Sequence, residues 1–397
     1  MSSGIALVKD ANQYMLGNYR PFPIVIEKGS GAILVDVDGK EYIDLVAGIA
    51  VASLGHANAD VAAAIAKQSQ KLIHSSNILL NQPEIELAKL LCEVSGLQRV
   101  FFCNSGAEAN EAMLKLGRRA FLGQDPERYE IVCMSKAFHG RTLGTISATG
   151  QEKYRSGFGP LLPGFTIIPF GDIEALKKAV SKRTSAVILE PILGEGGVIV
   201  PPEGYLKQVR QLCDETGCLM LLDEVQTGIG RTGLMFACQH EGVTPDAMAI
   251  AKGLGAGLPI GAMLVSEKFA NVLTFPSHGS TFGGNPVACA AASVVVKQVS
   301  SAEFLEKVRA LETVLSRSLH ALKKKYPHRI RDVRGKGLFF GVEFINEPGD
   351  FKERALARGV IVNFCGDRVM RIAPPLVIRE SDLLNALDIV DELLGEQ

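Results

Sequence analysis

Four consecutive apolar residues, Leu219-Met220-Leu221-Leu222, lead directly into an acid, Asp223. A strand that is apolar at every position is buried on both faces, as in a parallel sheet covered by helices on each side. Similar runs predict strands at Arg99–Cys103, Ile131–Met134, Thr166–Pro169, Ala186–Leu189, Ala247–Ile250 and Gly261–Val265. Helical patterns lie between them, among them Tyr205 to Thr216 with Gly217 as its C-cap. The expected fold class is α/β, a mostly parallel seven-stranded sheet flanked by helices over residues 56–290.

At 397 residues the chain exceeds what one small core needs, and its two ends read differently. Ile24-Val25-Ile26 and Ala32 to Val37 read as strands, and Asp38-Gly39 turns the second into Lys40 to Leu45 as a hairpin. Beyond residue 290, Ser300 and Glu303 fit a capping box ahead of Phe304, Val308, Leu311, Leu315, Leu319 and Leu322 at helical spacing. Gly337 to Phe344 reads as a strand and Asp382 to Leu394 as a closing amphipathic helix. Residues 1–55 and 291–397 are expected to form one smaller α+β domain.

Charge and cysteine usage narrow the function classes. A net charge of -1 gives no broad field for nucleic acid or an anionic membrane, so any phosphate must be held locally. The eight cysteines form no CxxC pair; they read as buried thiols in a reducing compartment, and no metal site is expected. Met1 to Leu16 lacks the pattern of a signal peptide, and Leu45 to Gly55 is too short to span a bilayer. The expected location is the cytoplasm.

Arg99–Cys103 runs into Asn104-Ser105-Gly106-Ala107-Glu108 and then a helix with Ala109, Ala112, Met113, Leu116 and Ala120 on one face. Such a turn offers an anion unpaired backbone N–H groups and the positive end of a helix dipole. Gly106 permits close approach, and the Ser105 hydroxyl can add a donor. Ser105 and Glu108 equally fit a capping box that needs no ligand, so the turn needs partners before it counts as a site.

Those partners stand at two further strand ends. Asp223 closes one apolar strand, and Lys252 follows the next, at the head of Gly253-Leu254-Gly255-Ala256-Gly257. Ligands of α/β sheets bind at the carboxyl ends of the strands, and a buried carboxylate there needs a cation or donors. Taken singly, Lys252 would be a solvated loop lysine and Asp223 a cap or surface ion pair. Together they bring one amine and one acid to the same rim.

Here the chain resembles the class III, fold-type I aminotransferases, a family dependent on pyridoxal 5'-phosphate, over nearly its whole length. The resemblance rests on Phe101-Phe102-Cys103-Asn104-Ser105-Gly106-Ala107-Glu108-Ala109-Asn110, on Phe138-His139-Gly140-Arg141-Thr142 and on Leu222-Asp223-Glu224-Val225-Gln226-Thr227-Gly228. It extends through Ala251-Lys252-Gly253, Ser280-Thr281-Phe282-Gly283-Gly284-Asn285-Pro286 and Arg371-Ile372-Ala373-Pro374-Pro375. It implies that Lys252 carries the cofactor as a Schiff base and that Asp223 keeps its ring nitrogen protonated. Ser105, Gly106 and Ala107 would hold the phosphate, Phe138 and Val225 would pack on the two ring faces, and Gln226 would donate to the phenolic oxygen. Thr281 would reach the phosphate of a neighbouring subunit's cofactor, which implies a homodimer.

The same resemblance places Arg141, Glu195, Ser280 and Arg371 on the substrate. Arg141 would take the carboxylate remote from the reacting amine, and Arg371 the α-carboxylate of glutamate, as the guanidinium fork allows. Glu195 would neutralise Arg371 for an ω-amine substrate and withdraw for glutamate. The expected reaction passes the δ-amine of N-acetylornithine to 2-oxoglutarate by ping-pong transamination. Ile78-Leu79-Leu80 stands where the family often has aromatics, which leaves N-succinylornithine, ornithine and 4-aminobutyrate open as donors. A racemase or mutase using the same cofactor, and a non-catalytic cofactor-sensing domain, are the rival readings.

Overall fold

The computed structural model describes residues 3–396; Met1, Ser2 and Gln397, which the N-terminal and small-domain expectations include, lie outside the described residues. Near the N-terminus, β1 (Ile26–Ser30), β2 (Ile33–Asp36) and β3 (Glu41–Asp44) pair antiparallel in order. The hairpin falls where expected, but the first strand starts at Ile26 rather than Ile24.

The large sheet contains β4 (Arg99–Cys103), β5 (Glu130–Met134), β6 (Phe165–Ile168), β7 (Thr184–Leu189), β8 (Leu219–Asp223), β9 (Ala247–Ile250) and β10 (Gly261–Val265). Its order is β4-β10-β9-β8-β7-β5-β6. Neighbours from β9 to β6 are parallel, and β10 runs antiparallel between β4 and β9. Every residue of β7 through β10 is buried, the two-sided burial that the unbroken apolar runs require. One face packs on residues such as Leu176, Val209 and Val295, and the other on Ala112, Met113 and Leu116.

The C-terminal part adds β11 (Ile330–Lys336), β12 (Phe339–Phe344), β13 (Val360–Ile361), β14 (Asn363–Cys365) and β15 (Val369–Ile372). β11, β12, β15 and β14 form an antiparallel sheet, while β13 joins β3 in parallel. Ala32 and Leu45 accordingly share a core with Val308, Leu315, Phe340 and Leu387. The long helix here is Ala302–Lys325, and its cap differs from the expected Ser300–Glu303 box. Ser301 accepts the N–H of Phe304, Ser300 ends the preceding helix, and Glu303 pairs with Lys307. Gly337, expected within a strand, sits in the turn before β12 at φ 62, where a Cβ would lie 2.4 Å from the Thr232 carbonyl carbon.

Among the described residues no single helix is long and apolar enough to cross a membrane. Leu221, fully buried in β8, tests the sheet: Leu221→Ala should cost about 2–5 kcal/mol, as core leucine truncations do. Denaturant unfolding followed by circular dichroism should show a lower midpoint, and an unmoved midpoint would contradict the packing described.

Candidate active site

Several strand ends meet at one rim. β4 delivers Asn104 to Ala107, β7 is followed by Glu190, β8 ends in Asp223, and β9 is followed by Ala251 and Lys252. Because β10 is antiparallel to both β4 and β9, those two strands point their carboxyl ends the same way. With Phe138, Arg141, Glu195, Val225 and Gln226 these residues line a cavity of ≈ 430 Å³.

Asp223 is buried and held by three donors. Its Oδ2 accepts from Asn110 Nδ2 at 2.7 Å and pairs with His139 Nδ1 at 2.8 Å, while Oδ1 accepts from the Val225 N–H at 3.0 Å. Burial alone would drive the His139 pKa down, but the hydrogen bond and charge of Asp223, with Glu190 behind them, carry it above its ordinary value. Asn110 also donates to the His139 carbonyl at 2.8 Å, so acid, histidine and amide form one unit. Sequence reasoning gives neither Asn110 nor His139 a role. Their signals are faint: a polar residue beside the apolar face of a helix, and a histidine between Phe138 and Gly140.

Lys252 opens a short 3-10 turn, Lys252–Gly255, with φ 43. That left-handed conformation costs a residue with a Cβ roughly 1–2 kcal/mol. Burial pushes its pKa down, the Arg371 charge pushes the same way, and the nearby acids Glu195, Asp223 and Glu190 do not restore it. A depressed pKa favours the neutral amine, which is the nucleophilic form.

The turn after β4 leads directly into the helix Gly106–Arg119, and Ser105 is its cap. The Ser105 hydroxyl accepts the Glu108 N–H at 3.2 Å and donates to the Glu108 carboxylate at 3.0 Å, so it is engaged in the cap. The N–H groups of Gly106 and Ala107 have no acceptor among the described residues. A Cβ on Gly106 would lie 2.7 Å from Val225 Cγ1, so glycine is what lets this turn and the Val225 wall approach each other.

Two guanidinium groups stand in opposite states. Arg371, on β15, is 1% exposed; its Nη1 pairs with Glu195 and donates to Gln226 Oε1 at 3.0 Å, and its Nε donates to Asn363 Oδ1 at 3.3 Å. Burial would raise the Glu195 pKa, but Arg371, with Lys252 and Lys153 further off, holds it below the usual range. Arg141 is exposed and has no hydrogen-bond or ion-pair partner among the described residues. It lies over the Tyr154 ring at 4.2 Å and the Phe138 ring at 5.4 Å, and those rings meet edge to face at 5.3 Å. Tyr154 is a contact that no motif pointed to.

Two expected site residues stay outside the cavity lining. Ser280 Oγ accepts from Asn104 Nδ2 at 3.3 Å and from the Gly283 N–H at 3.0 Å, and Thr281 is exposed. For the residues inside, the chemistry fits pyridoxal 5'-phosphate. An amine, a buried acid with an oxygen that meets only one backbone N–H, and two open N–H groups match an aldehyde, a ring nitrogen and a phosphate.

Comparisons with known proteins agree with this chemistry. A family profile described as Aminotransferase class-III matches residues 14–394. An acetylornithine aminotransferase of Myxococcus xanthus is 49% identical over 384 residues, covering 96% of each chain. Among solved structures, the ornithine aminotransferase of Toxoplasma gondii ME49 superposes with a TM-score of 0.96 at 32% identity, covering 100% of this chain and 96% of that one. The N-acetylornithine aminotransferase of Stenotrophomonas maltophilia K279a gives a TM-score of 0.85 at 34% identity, with 98% of each chain covered. With the profile spanning nearly every residue and the site chemistry in place, the chain belongs to the class-III aminotransferases.

Proposed function

We propose that this enzyme moves the δ-amine of N-acetylornithine to 2-oxoglutarate, releasing N-acetylglutamate 5-semialdehyde and glutamate in two half-reactions. The observation that carries the reading is the contrast between a neutralised Arg371 and an unpaired Arg141 at one cavity. An amine donor whose carboxylate is far from the reacting nitrogen needs a cation at Arg141 and none at Arg371. Glutamate and 2-oxoglutarate carry a carboxylate beside the reacting carbon, and they gain Arg371 once Glu195 swings away. Stranding a buried charge costs about 3–5 kcal/mol, so the entering carboxylate has to replace Glu195 as it leaves. The acetylornithine aminotransferases among the relatives support this choice of donor.

Bound pyridoxal 5'-phosphate supplies an aldehyde that receives the amine and a ring that takes up an electron pair. The open N–H groups of Gly106 and Ala107, with Ser105 beside them, would hold the phosphate, and Phe138 and Val225 would confine the ring. Asp223, fixed by His139 and Asn110, would face the ring nitrogen and keep it protonated. With its Oε1 on Arg371, Gln226 would have its amide nitrogen left to donate to the cofactor's phenolic oxygen. Lys252 Nζ would hold the cofactor's aldehyde covalently, and as a neutral amine it would serve as the base that takes the proton from the carbon bearing the substrate's amine and returns it.

The working unit is a homodimer. Ile78, Leu80, Phe275 and Phe282 are exposed apolar side chains, between 60% and 97% exposed, and a second copy would cover them. Thr281 of the partner subunit would then complete the phosphate site, with Ser280 beside the substrate. We assign the cofactor to a large domain at 56–290, complemented by a small domain from 1–55 and 291–397, and place the enzyme in the cytoplasm.

Three substitutions test these roles. Lys252→Ala should remove the visible absorbance of the loaded enzyme and lower turnover more than about a hundredfold; retained turnover would end the scheme. Asp223→Asn should slow proton transfer by about 10²-fold or more with the circular dichroism spectrum unchanged, and a wild-type rate would take away its role. Glu195→Ala should cost the N-acetylornithine half-reaction about tenfold more than the glutamate half-reaction, and equal losses would argue against an exchangeable pair.

A further inference from the structure

Glu190 lines the cavity yet has no part in that scheme. It stands directly after β7 and is 4% exposed, so its position is set by the central sheet rather than by a free loop. Its two oxygens are divided between two different turns. Oε1 accepts the backbone N–H of Phe138 at 2.9 Å, and Oε2 accepts the backbone N–H of Gly194 at 2.9 Å. The first bond fixes the turn that carries Phe138 and His139. The second fixes the turn that carries Glu195, which closes on itself through the Gly197 and Val198 N–H groups to the Gly194 carbonyl at 3.1 and 3.2 Å.

The Gly194 turn is tightly seated. A Cβ on Gly194 would lie 2.5 Å from Gln226 Oε1, the oxygen that accepts from Arg371. An acid is an expensive choice in this place: burial and the neighbouring Asp223 push the Glu190 pKa up to about 7, against the pull of His139 and the two backbone donors. A glutamine of the same shape would avoid that charge, but it offers only one acceptor oxygen. A carboxylate is what accepts from both turns at once.

We propose that Glu190 is a positioning residue that ties the Phe138 turn and the Glu195 turn to one fixed point. Glu195 can then exchange its contact with Arg371 by side-chain rotation while its backbone stays in place. This rests on the transamination reading above.

The test is a double-mutant cycle on the two half-reactions, each followed by single-turnover absorbance of the cofactor-loaded enzyme. In Glu190→Gln the amide nitrogen would face one of the two backbone N–H groups, and the tie between the turns would be lost. The N-acetylornithine half-reaction should slow about tenfold or more, the glutamate half-reaction should slow less, and the difference should vanish in a Glu195→Ala background. Equal losses in both half-reactions, additive effects in the cycle, or wild-type rates would each overturn the assignment. A lower melting temperature with unchanged rates would also overturn it, because that is the mark of a purely structural acid. If Glu190→Gln does not load cofactor, Glu190→Asp, which keeps the charge but shortens the reach, replaces it in the same cycle under the same criteria. If the unsubstituted enzyme converts neither donor, the transamination reading falls first and the role of Glu190 with it.

Discussion

Asp223 closes β8 in the middle of the large sheet, and its carboxyl group is buried, so hydrogen-bond partners have to hold it there. An isolated carboxylate in that position would cost several kcal/mol or take up a proton. His139 and Asn110 approach one oxygen, and the Val225 backbone approaches the other. These donors come from the turn after β5, from the helix after β4 and from the turn after β8 itself. Fixing one acid therefore draws neighbouring elements to a common rim, and the same convergence brings Lys252 and the Gly106 turn into the cavity.

The second constraint is electrostatic balance across the cavity mouth. Arg371 is deep and matched by Glu195; Arg141 is exposed and held over two aromatic faces. A guanidinium on a ring keeps its hydrogen-bond fork free for a ligand carboxylate, since the ring engages its flat face. Lys252 sits among Glu195, Asp223, Glu190 and Arg371, and burial together with Arg371 outweighs the acids in setting its protonation. Burial and the Arg371 charge thus move Lys252 toward its neutral form, while Arg371 holds the Glu195 carboxyl below its ordinary range.

The large sheet was legible because its signal is local. Leu219 to Leu222 is apolar without interruption and its companions are mostly so, and all seven of those strands occur within two residues of where the runs place them. β11 escaped notice because Ile330 to Lys336 carries Arg331, Asp332, Arg334 and Lys336, so half-burial hides its pattern. The cap at Ser301 was displaced by one residue because the preceding helix runs on to Val299 and uses Ser300 as its own end. Strand-end chemistry pointed to Lys252 and Asp223, whereas His139, Asn110 and Glu190 were hidden for a different reason. Each is a buried polar residue whose role depends on a partner 29 to 113 positions away, and no local spacing encodes that.

In the reaction proposed above, Asp223, fixed by His139, Asn110 and the Val225 N–H, is the acid that keeps the cofactor's ring nitrogen protonated. The direct measurement is the nitrogen chemical shift of ring-labelled pyridoxal 5'-phosphate bound to the enzyme, recorded across neutral to mildly alkaline pH. A protonated nitrogen throughout is the predicted result. A ring nitrogen without its proton at neutral pH would contradict the account.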